Sequence, residues 1–244
     1  MFTGMVKEVG RLNKTTRINT GLEVEIESFL LTKDMKNGDS IAVNGCCLTV
    51  NSFTAGKSFK ADVSFATLKA TSLGILKSGN FVNLEDAVKL SDKLGGHMVS
   101  GHIDCTGKIT SILKKGDFYN LAVKIPKNII ALAAPKGSMS VDGISLTISD
   151  SINTAISFAI IPFTFQSTNL KYKKQGEAVN LEVDLMARYI MNMAKYGSPM
   201  SQGSFSGATD YANILNLHKL SADLQNKKNR DADLREKLEK NGFK

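Results

Sequence analysis

Val43-Asn-Gly-Cys-Cys-Leu-Thr-Val50 and Val141-Asp-Gly-Ile-Ser-Leu-Thr-Ile148 carry one pattern twice in this 244-residue chain. In each, Asn-Gly or Asp-Gly separates two runs of alternating apolar and small polar residues. Both central residues of a type I′ turn need positive φ, and these dipeptides adopt it at least cost. Each stretch therefore reads as a tight hairpin. Around the first turn Val43 faces Cys46, Ala42 faces Cys47, Ile41 faces Leu48 and Ser40 faces Thr49. Side chains alternate across a strand. One face is then Ile41, Val43, Cys46, Leu48 and Val50, a core face. The other is Ser40, Ala42, Cys47 and Thr49. The second hairpin sorts the same way, with Met139, Val141, Ile144, Leu146 and Ile148 inward. Its other face is Ser138, Ser140, Ser145 and Thr147.

Three more blocks recur in order around the hairpins. Met1-Phe2-Thr3-Gly4 with Gly10 matches Met98-Val99-Ser100-Gly101 with Gly107. Thr67-Leu-Lys-Ala-Thr-Ser-Leu73 matches Thr164-Phe-Gln-Ser-Thr-Asn-Leu170. Val82-Asn-Leu-Glu85 recurs unchanged as Val179-Asn-Leu-Glu182. The four offsets are 97, 98, 97 and 97, so the halves are duplicates. Several short strands with Gly, Asn, Asp and Lys turns in under 100 residues favour a small closed or Greek-key barrel. The expected fold is all-β, two tandem homologous barrels joined near residues 90–96. Leu185, Met186, Tyr189, Ile190 and Met193 then fall at helical spacing, which predicts a helix over 185–196 with an apolar stripe. Such a stripe at a domain end calls for a partner. The expected division is barrels at 1–94 and 95–185, an oligomerisation helix at 186–197, and a linker with a charged, helical tail at 198–244. Leu217, Leu220, Leu224, Leu234 and Leu238 mark that tail.

Composition removes several function classes. No run of 18 apolar residues appears, which argues against a membrane span. The net charge is +8, yet the 23 basic and 17 acidic residues before position 198 are scattered. Nucleic-acid binders concentrate Lys and Arg on one face, and base stacking wants exposed aromatic rings. The chain has no Trp, so no nucleic-acid partner is expected. Three cysteines, two of them adjacent, cannot form a disulfide framework, and a reducing cytoplasm is the expected home. His97 and His102 stand five apart, read as facing opposite ways along a strand, and no Cys-x-x-Cys accompanies them, so no zinc or other metal site is expected. Phosphate-loop, nucleophile-elbow and kinase signatures are missing.

What remains is the small-residue face. Solvated strand faces usually carry Lys, Glu and Arg, whereas Ser, Ala, Cys and Thr leave room for something flat to lie against the sheet. In Met98-Val-Ser-Gly-His-Ile-Asp104, alternation puts His102 with Ser100 and Asp104 on the polar side and Ile103 inward. Met5 stands at the matching place in the first unit. Whatever His102 does therefore happens once per chain.

These blocks closely resemble riboflavin synthase of the α-chain type. The opening Met-Phe-Thr-Gly, the Asn-Gly-Cys-Cys-Leu-Thr-Val hairpin, Gly95-Gly-His-Met-Val-Ser-Gly-His102, the Asp-Gly-Ile-Ser-Leu-Thr-Ile hairpin and Val179-Asn-Leu-Glu-Val-Asp184 match in order, over about residues 1–195. The resemblance implies two six-stranded Greek-key barrels followed by a helix, and homotrimers assembled through that helix. It implies a dismutation of two 6,7-dimethyl-8-ribityllumazine molecules by four-carbon transfer, with no metal or redox cofactor. A lumazine-binding protein without turnover is the alternative of the same fold.

By the same resemblance, Cys47, His102, Ser145 and Asp184 are the catalytic candidates. Ser40, Ala42, Leu48 and Thr49 would contact substrate on the first hairpin, and Leu146 and Thr147 on the second, with Lys136 near the second substrate. Strands ending at Thr67 and Thr164 would offer backbone groups to the pyrimidine edge. They comprise Asp62, Val63, Ser64, Phe65, Ala66 and Thr67, and Ala159, Ile160, Ile161, Pro162, Phe163 and Thr164. Gly4, Met5 and Val6, with Gly101 and Ile103, would do the same. Departures fall at Ala66 and Phe163, where Glu or His often stands, and at Asp86, where Arg is common.

Overall fold

The computed structural model describes residues 1–196. The tail expected at 198–244 lies outside the described residues. The first half forms β1 (Glu8–Ile18), β2 (Gly21–Glu27), β3 (Ser40–Val43), β4 (Cys46–Thr54), β5 (Ser58–Ser64), a short helix α1 (Phe65–Ala70) and β6 (Phe81–Asp86). The second half repeats the series as β7 (Cys105–Lys115), β8 (Phe118–Lys124), β9 (Ser138–Val141), β10 (Ile144–Ile152), β11 (Ala155–Ile160), α2 (Pro162–Ser167) and β12 (Ala178–Val183), and α3 (Leu185–Tyr196) follows.

Each set of six strands closes into an antiparallel barrel. The first runs β1-β2-β5-β4-β3-β6 around the wall, and the second has the matching order β7-β8-β11-β10-β9-β12. In both, the second and fifth strands pair across an intervening hairpin, the Greek-key crossing, and closure leaves no strand edge open to aggregation. The hairpin register is the one that alternation gives: Ser40 opposite Thr49, Ile41 opposite Leu48, Ala42 opposite Cys47 and Val43 opposite Cys46. Asn44 and Asp142 have φ of 45° and 47° and are each followed by a positive-φ glycine. The two turn tips abut, so a Cβ on Gly45 would lie 2.7 Å from the backbone nitrogen of Gly143. A side chain is excluded there by space as well as by conformation.

The inward faces are dry. Ile41, Val43, Val50, Phe59, Ala61 and Val63 lie in one core, and Met139, Val141, Ile148, Ile156 and Phe158 in the other, all fully buried. Burying each large side chain is worth about 1.5–3 kcal/mol, so each barrel has its own source of stability. A local two-fold relates the contacts at the turn tips. Within its own barrel Asn44 N donates to Asn83 O at 2.8 Å, and Asp142 N likewise donates to Asn180 O at 2.8 Å. Asn83 Nδ2 reaches Asp142 O at 2.8 Å, and Asn180 Nδ2 reaches Asn44 O at 2.9 Å. The repeated Val-Asn-Leu-Glu block thus places its asparagine between the barrels in both copies. At Asp142 the symmetry breaks. Its fully buried carboxylate meets the Lys173 ammonium at 3.0 Å, while the first unit has neutral Asn44 and Leu76 at the corresponding positions.

Glu8, at the start of β1, caps the turn that leaves β2. Its carboxylate accepts from Ser28 Oγ at 2.7 Å and from the amides of Phe29, Leu30 and Leu31 at 2.6–3.2 Å. Partial burial pushes the carboxyl up, but those four donors outweigh it and hold it below the usual glutamate value. With a lower folded than unfolded value, Glu8 contributes stability in full above its unfolded pKa of about 4.3. That contribution fades as pH falls through the lowered folded value. Glu8→Gln is expected to unfold at a lower temperature than the parent at pH 7, with the gap closing as the pH is taken below 4. A gap that does not change with pH in differential scanning calorimetry would contradict this account.

Candidate functional site

The hydroxyl and thiol side chains on the outer hairpin faces end up on two equivalent shelves, one per barrel. On the first, Cys47 is half-buried and Thr49, Asp62 and Ser64 are exposed; on the second, Ser145 is half-buried and Thr147, Ala159 and Ile161 are exposed. Ser40, next to Thr49, is half-buried and belongs to the same shelf.

Each shelf is finished by the other unit. Residues 1–6 leave their own barrel and lie along β10, and residues 98–103 lie along β4. Gly4 O accepts from Ser145 N at 2.8 Å, and Gly101 O accepts from Cys47 N at 2.9 Å. Phe2 and Val99 pair through two backbone hydrogen bonds of 2.8 and 3.1 Å, where the two arms cross. Val6 packs on the second core and Ile103 on the first. Glycine is required at the crossing points. At Gly101, with φ of +84°, a Cβ would come within 2.5 Å of the Cys47 Cβ, and at Gly4, with φ of +74°, within 2.6 Å of the Ser145 Cβ.

The glutamates of the repeated block pin the arms. Glu85 accepts from Thr3 N, Thr3 Oγ1 and Gly4 N at 2.7–3.0 Å, and Glu182 accepts from Ser100 N, Ser100 Oγ and Gly101 N at the same distances. Burial pushes the Glu85 carboxyl up, opposed by the bonds from Thr3 and Gly4 and by the charge of Lys7. Asp86, one of the departures, pairs with Lys7.

Several expectations are corrected. The segment around His102 is an irregular arm, since β7 begins only at Cys105. His102 is exposed as alternation indicated, but Ile103 turns into the other barrel's core rather than its own. Ala42 and Ser140 are not open to a ligand. Phe2 and Val99 cover Ala42, and Ser140 is 1% exposed. The strands expected to reach Thr67 and Thr164 stop at Ser64 and Ile160. Ser64 Oγ accepts from Thr67 N at 3.1 Å, an N-cap that starts α1, and Pro162 occupies the first turn of α2, where it costs no hydrogen bond. Thr67 and Thr164 therefore sit in helical turns at the ends of their shelves, beside exposed Phe65, Ala66 and Phe163. Leu48, Val63, Leu146 and Ile160 point into the cores, so only their backbone faces outward. Lys136 is exposed with φ of +67°, and Gly38 holds the matching position with φ of +90°.

His97, set aside as a metal ligand on its spacing, belongs to the second shelf. It is buried, and its Nδ1 shares a 2.7 Å hydrogen bond with Ser145 Oγ. Burial pulls the imidazole below its ordinary value against the opposing charge of Asp184, so it stays neutral at neutral pH. Asp184 caps α3, accepting from Met186 N at 2.9 Å. Thus Ser145, His97 and Asp184 gather at one shelf, and Cys47 with the His102 arm at the other. The only sequence hint at this was that Gly95-Gly-His97 immediately precedes the repeated arm.

The three cysteines have different environments. Cys46 is buried in the first core and Cys105 half-buried at the start of β7, and burial pushes both thiols up to about 12. The thiolate is the nucleophile, so iodoacetamide at pH 8 is expected to modify Cys47 first, as read by peptide mass mapping. Labelling of Cys46 or Cys105 ahead of Cys47 would contradict this placement.

No helix among the described residues is long and apolar enough to cross a membrane. The lumazine binding domain family matches residues 3–87 and again residues 100–184. Similar curated proteins include a riboflavin synthase of Actinobacillus pleuropneumoniae, 44% identical over 190 residues, covering 78% of this chain and 88% of that protein. A riboflavin synthase of Bacillus amyloliquefaciens is 39% identical with the same coverage. Among solved structures, LumP complexed with 6,7-dimethyl-8-(1'-D-ribityl) lumazine superposes with a TM-score of 0.68 at 25% identity, covering 75% of this chain and 99% of LumP. LumP complexed with riboflavin gives a TM-score of 0.70 at the same identity and coverage.

Proposed function

The chain belongs to the riboflavin synthase family, with two lumazine binding domains in tandem, and from that premise we propose how its own residues carry the reaction. It is a transferase. Two molecules of 6,7-dimethyl-8-ribityllumazine dismutate, one giving a four-carbon unit to the other, to form riboflavin and 5-amino-6-ribitylamino-uracil. The atoms of two lumazines equal those of the two products, so the balance calls for no external oxidant or carbon donor.

The observation that carries the reading is the pair of equivalent shelves, each completed by the other unit's arm. Two copies of one flat substrate suit two copies of one shelf. Fixing two reactants removes translational and rotational entropy worth about 7–11 kcal/mol of barrier. The rest is proton traffic. The C7 methyl of one ring loses a proton, and a nucleophile adds at C7 of the other. An imidazole is the side chain best suited to shuttle protons near neutrality, and His102 is exposed on its arm for that task. Cys47 on one shelf, and Ser145 and Asp184 on the other, are the remaining catalytic candidates. Thr49 and Thr147, the exposed outer edges of β5 and β11, and the arm residues Gly4, Met5, Val6, Gly101 and Ile103 would hold the ligands, with Lys136 beside the second.

We assign a homotrimeric assembly through α3, supported by the exposure of Met186, Tyr189, Ile190 and Met193 along that helix, and a cytoplasmic home, supported by three free cysteines. Sedimentation of the full chain tests the first: a trimer is expected, and a monomer at micromolar concentration would overturn it. The function is tested by incubating the full chain with 6,7-dimethyl-8-ribityllumazine and following riboflavin absorbance. Steady riboflavin formation is expected. Tight binding with no conversion would replace the enzyme by a chromophore carrier.

A further inference from the structure

The arm that carries His102 has no strand ladder of its own, so its position depends on a few named contacts. Glu182 holds Ser100 and Gly101, and Asp104 N donates to Leu181 O at 2.9 Å. One further contact comes from α3. The Arg188 guanidinium donates through Nη2 to the carbonyl oxygen of His102 at 2.7 Å and to Asp104 Oδ2 at 2.8 Å, and lies 3.9 Å from Glu182 Oε1. Asp104 Oδ2 in turn accepts from Val183 N at 2.8 Å. One cation therefore touches the residues on either side of Ile103 and approaches the carboxylate that fixes the arm's start. Arg188 itself is set by the helix start, its amide donating to Asp184 O at 3.3 Å.

The first unit is built differently. Its arm carries Met5 where the second carries His102, Lys7 where the second carries Asp104, and Ser91 at the offset of Arg188. There Lys7 pairs with Asp86 of β6, and among the described residues no guanidinium donates to the Met5 carbonyl. The Arg clamp and the histidine occur on the same arm. A planar guanidinium presents donors in a fixed fork, so two acceptors on one segment are held in direction as well as distance.

We propose that Arg188 is a positioning residue that fixes the His102 arm over the first shelf through the His102 carbonyl and Asp104. This rests on the reading of His102 as the proton-handling group. Displacing a reacting group by about 1 Å can cost up to about a hundredfold in rate. Arg188→Met is therefore expected to lower kcat by about tenfold or more with little change in KM, and Arg188→Lys to recover part of the loss. The decisive experiment is a double-mutant cycle in the full chain with His102→Gln. If Arg188 acts through His102, Arg188→Met causes no further loss in the His102→Gln background. Equal fold losses in both backgrounds, or a change confined to KM, would overturn the proposal. Amide hydrogen exchange over residues 100–104 gives a readout independent of turnover. Faster exchange in Arg188→Met is expected, and unchanged exchange would overturn the clamp even if His102→Gln itself proved fully active, a result that would instead remove His102 from the chemistry.

Discussion

His102→Gln is expected to lower the rate of riboflavin formation by about 10²–10⁴-fold, the range typical for loss of a general acid–base group, while leaving the fold intact. The side chain is exposed on an arm held by other groups, among them Glu182, the Cys47 amide and Arg188. Removing the ring therefore removes no packing. Met5, at the same place on the other arm, already shows that the arm tolerates a side chain unable to carry a proton. Steady-state rates at several pH values, with circular dichroism as the control for folding, check the prediction. A loss below about threefold would assign the proton work to another group, the buried His97 beside Ser145 being next in line.

Lys173→Met is expected to destabilise the chain by about 3 kcal/mol, since it leaves a buried carboxylate without its counter-charge. Asp142 is fully buried and would keep only the Asn180 amide at 2.7 Å and Asn169 Nδ2 at 3.0 Å. The duplication supplies the rescue. Asn44 and Leu76 stand where the second unit has Asp142 and Lys173, so a neutral pair already fits this geometry once. The double variant Asp142→Asn with Lys173→Leu is expected to return most of the lost stability, because a buried ion pair contributes little beyond a well-packed neutral one. Urea unfolding of the parent, single and double variants measures this. If the double variant is as unstable as Lys173→Met, the ion pair itself supplies stability that a neutral pair cannot replace.

The parts legible in the sequence are those with local causes. The hairpin register, the split of Cys46 into the core and Cys47 onto the shelf, and the helix over 185–196 all follow from turn chemistry and periodicity within a dozen residues. The parts that were not legible depend on contacts between residues far apart in the chain. Nothing local shows that Phe2 crosses Val99, that Val6 and Ile103 pack into each other's barrels, or that Ala42 is covered. The repeated Val-Asn-Leu-Glu block reads as one more strand. Its buried asparagine ties the barrels, and its glutamate pins the arm that starts the same unit about 80 residues earlier. His97 stayed hidden for the same reason, since its partner Ser145 lies 48 residues on.

The most direct test of the account is a product balance on the full chain with 6,7-dimethyl-8-ribityllumazine as the sole substrate, resolved by chromatography over the course of the reaction. Two lumazines consumed for each riboflavin formed, with one 5-amino-6-ribitylamino-uracil released, is the predicted result. Conversion of one lumazine to one riboflavin, or a requirement for an added carbon donor, would contradict the pairing of two substrates on two shelves.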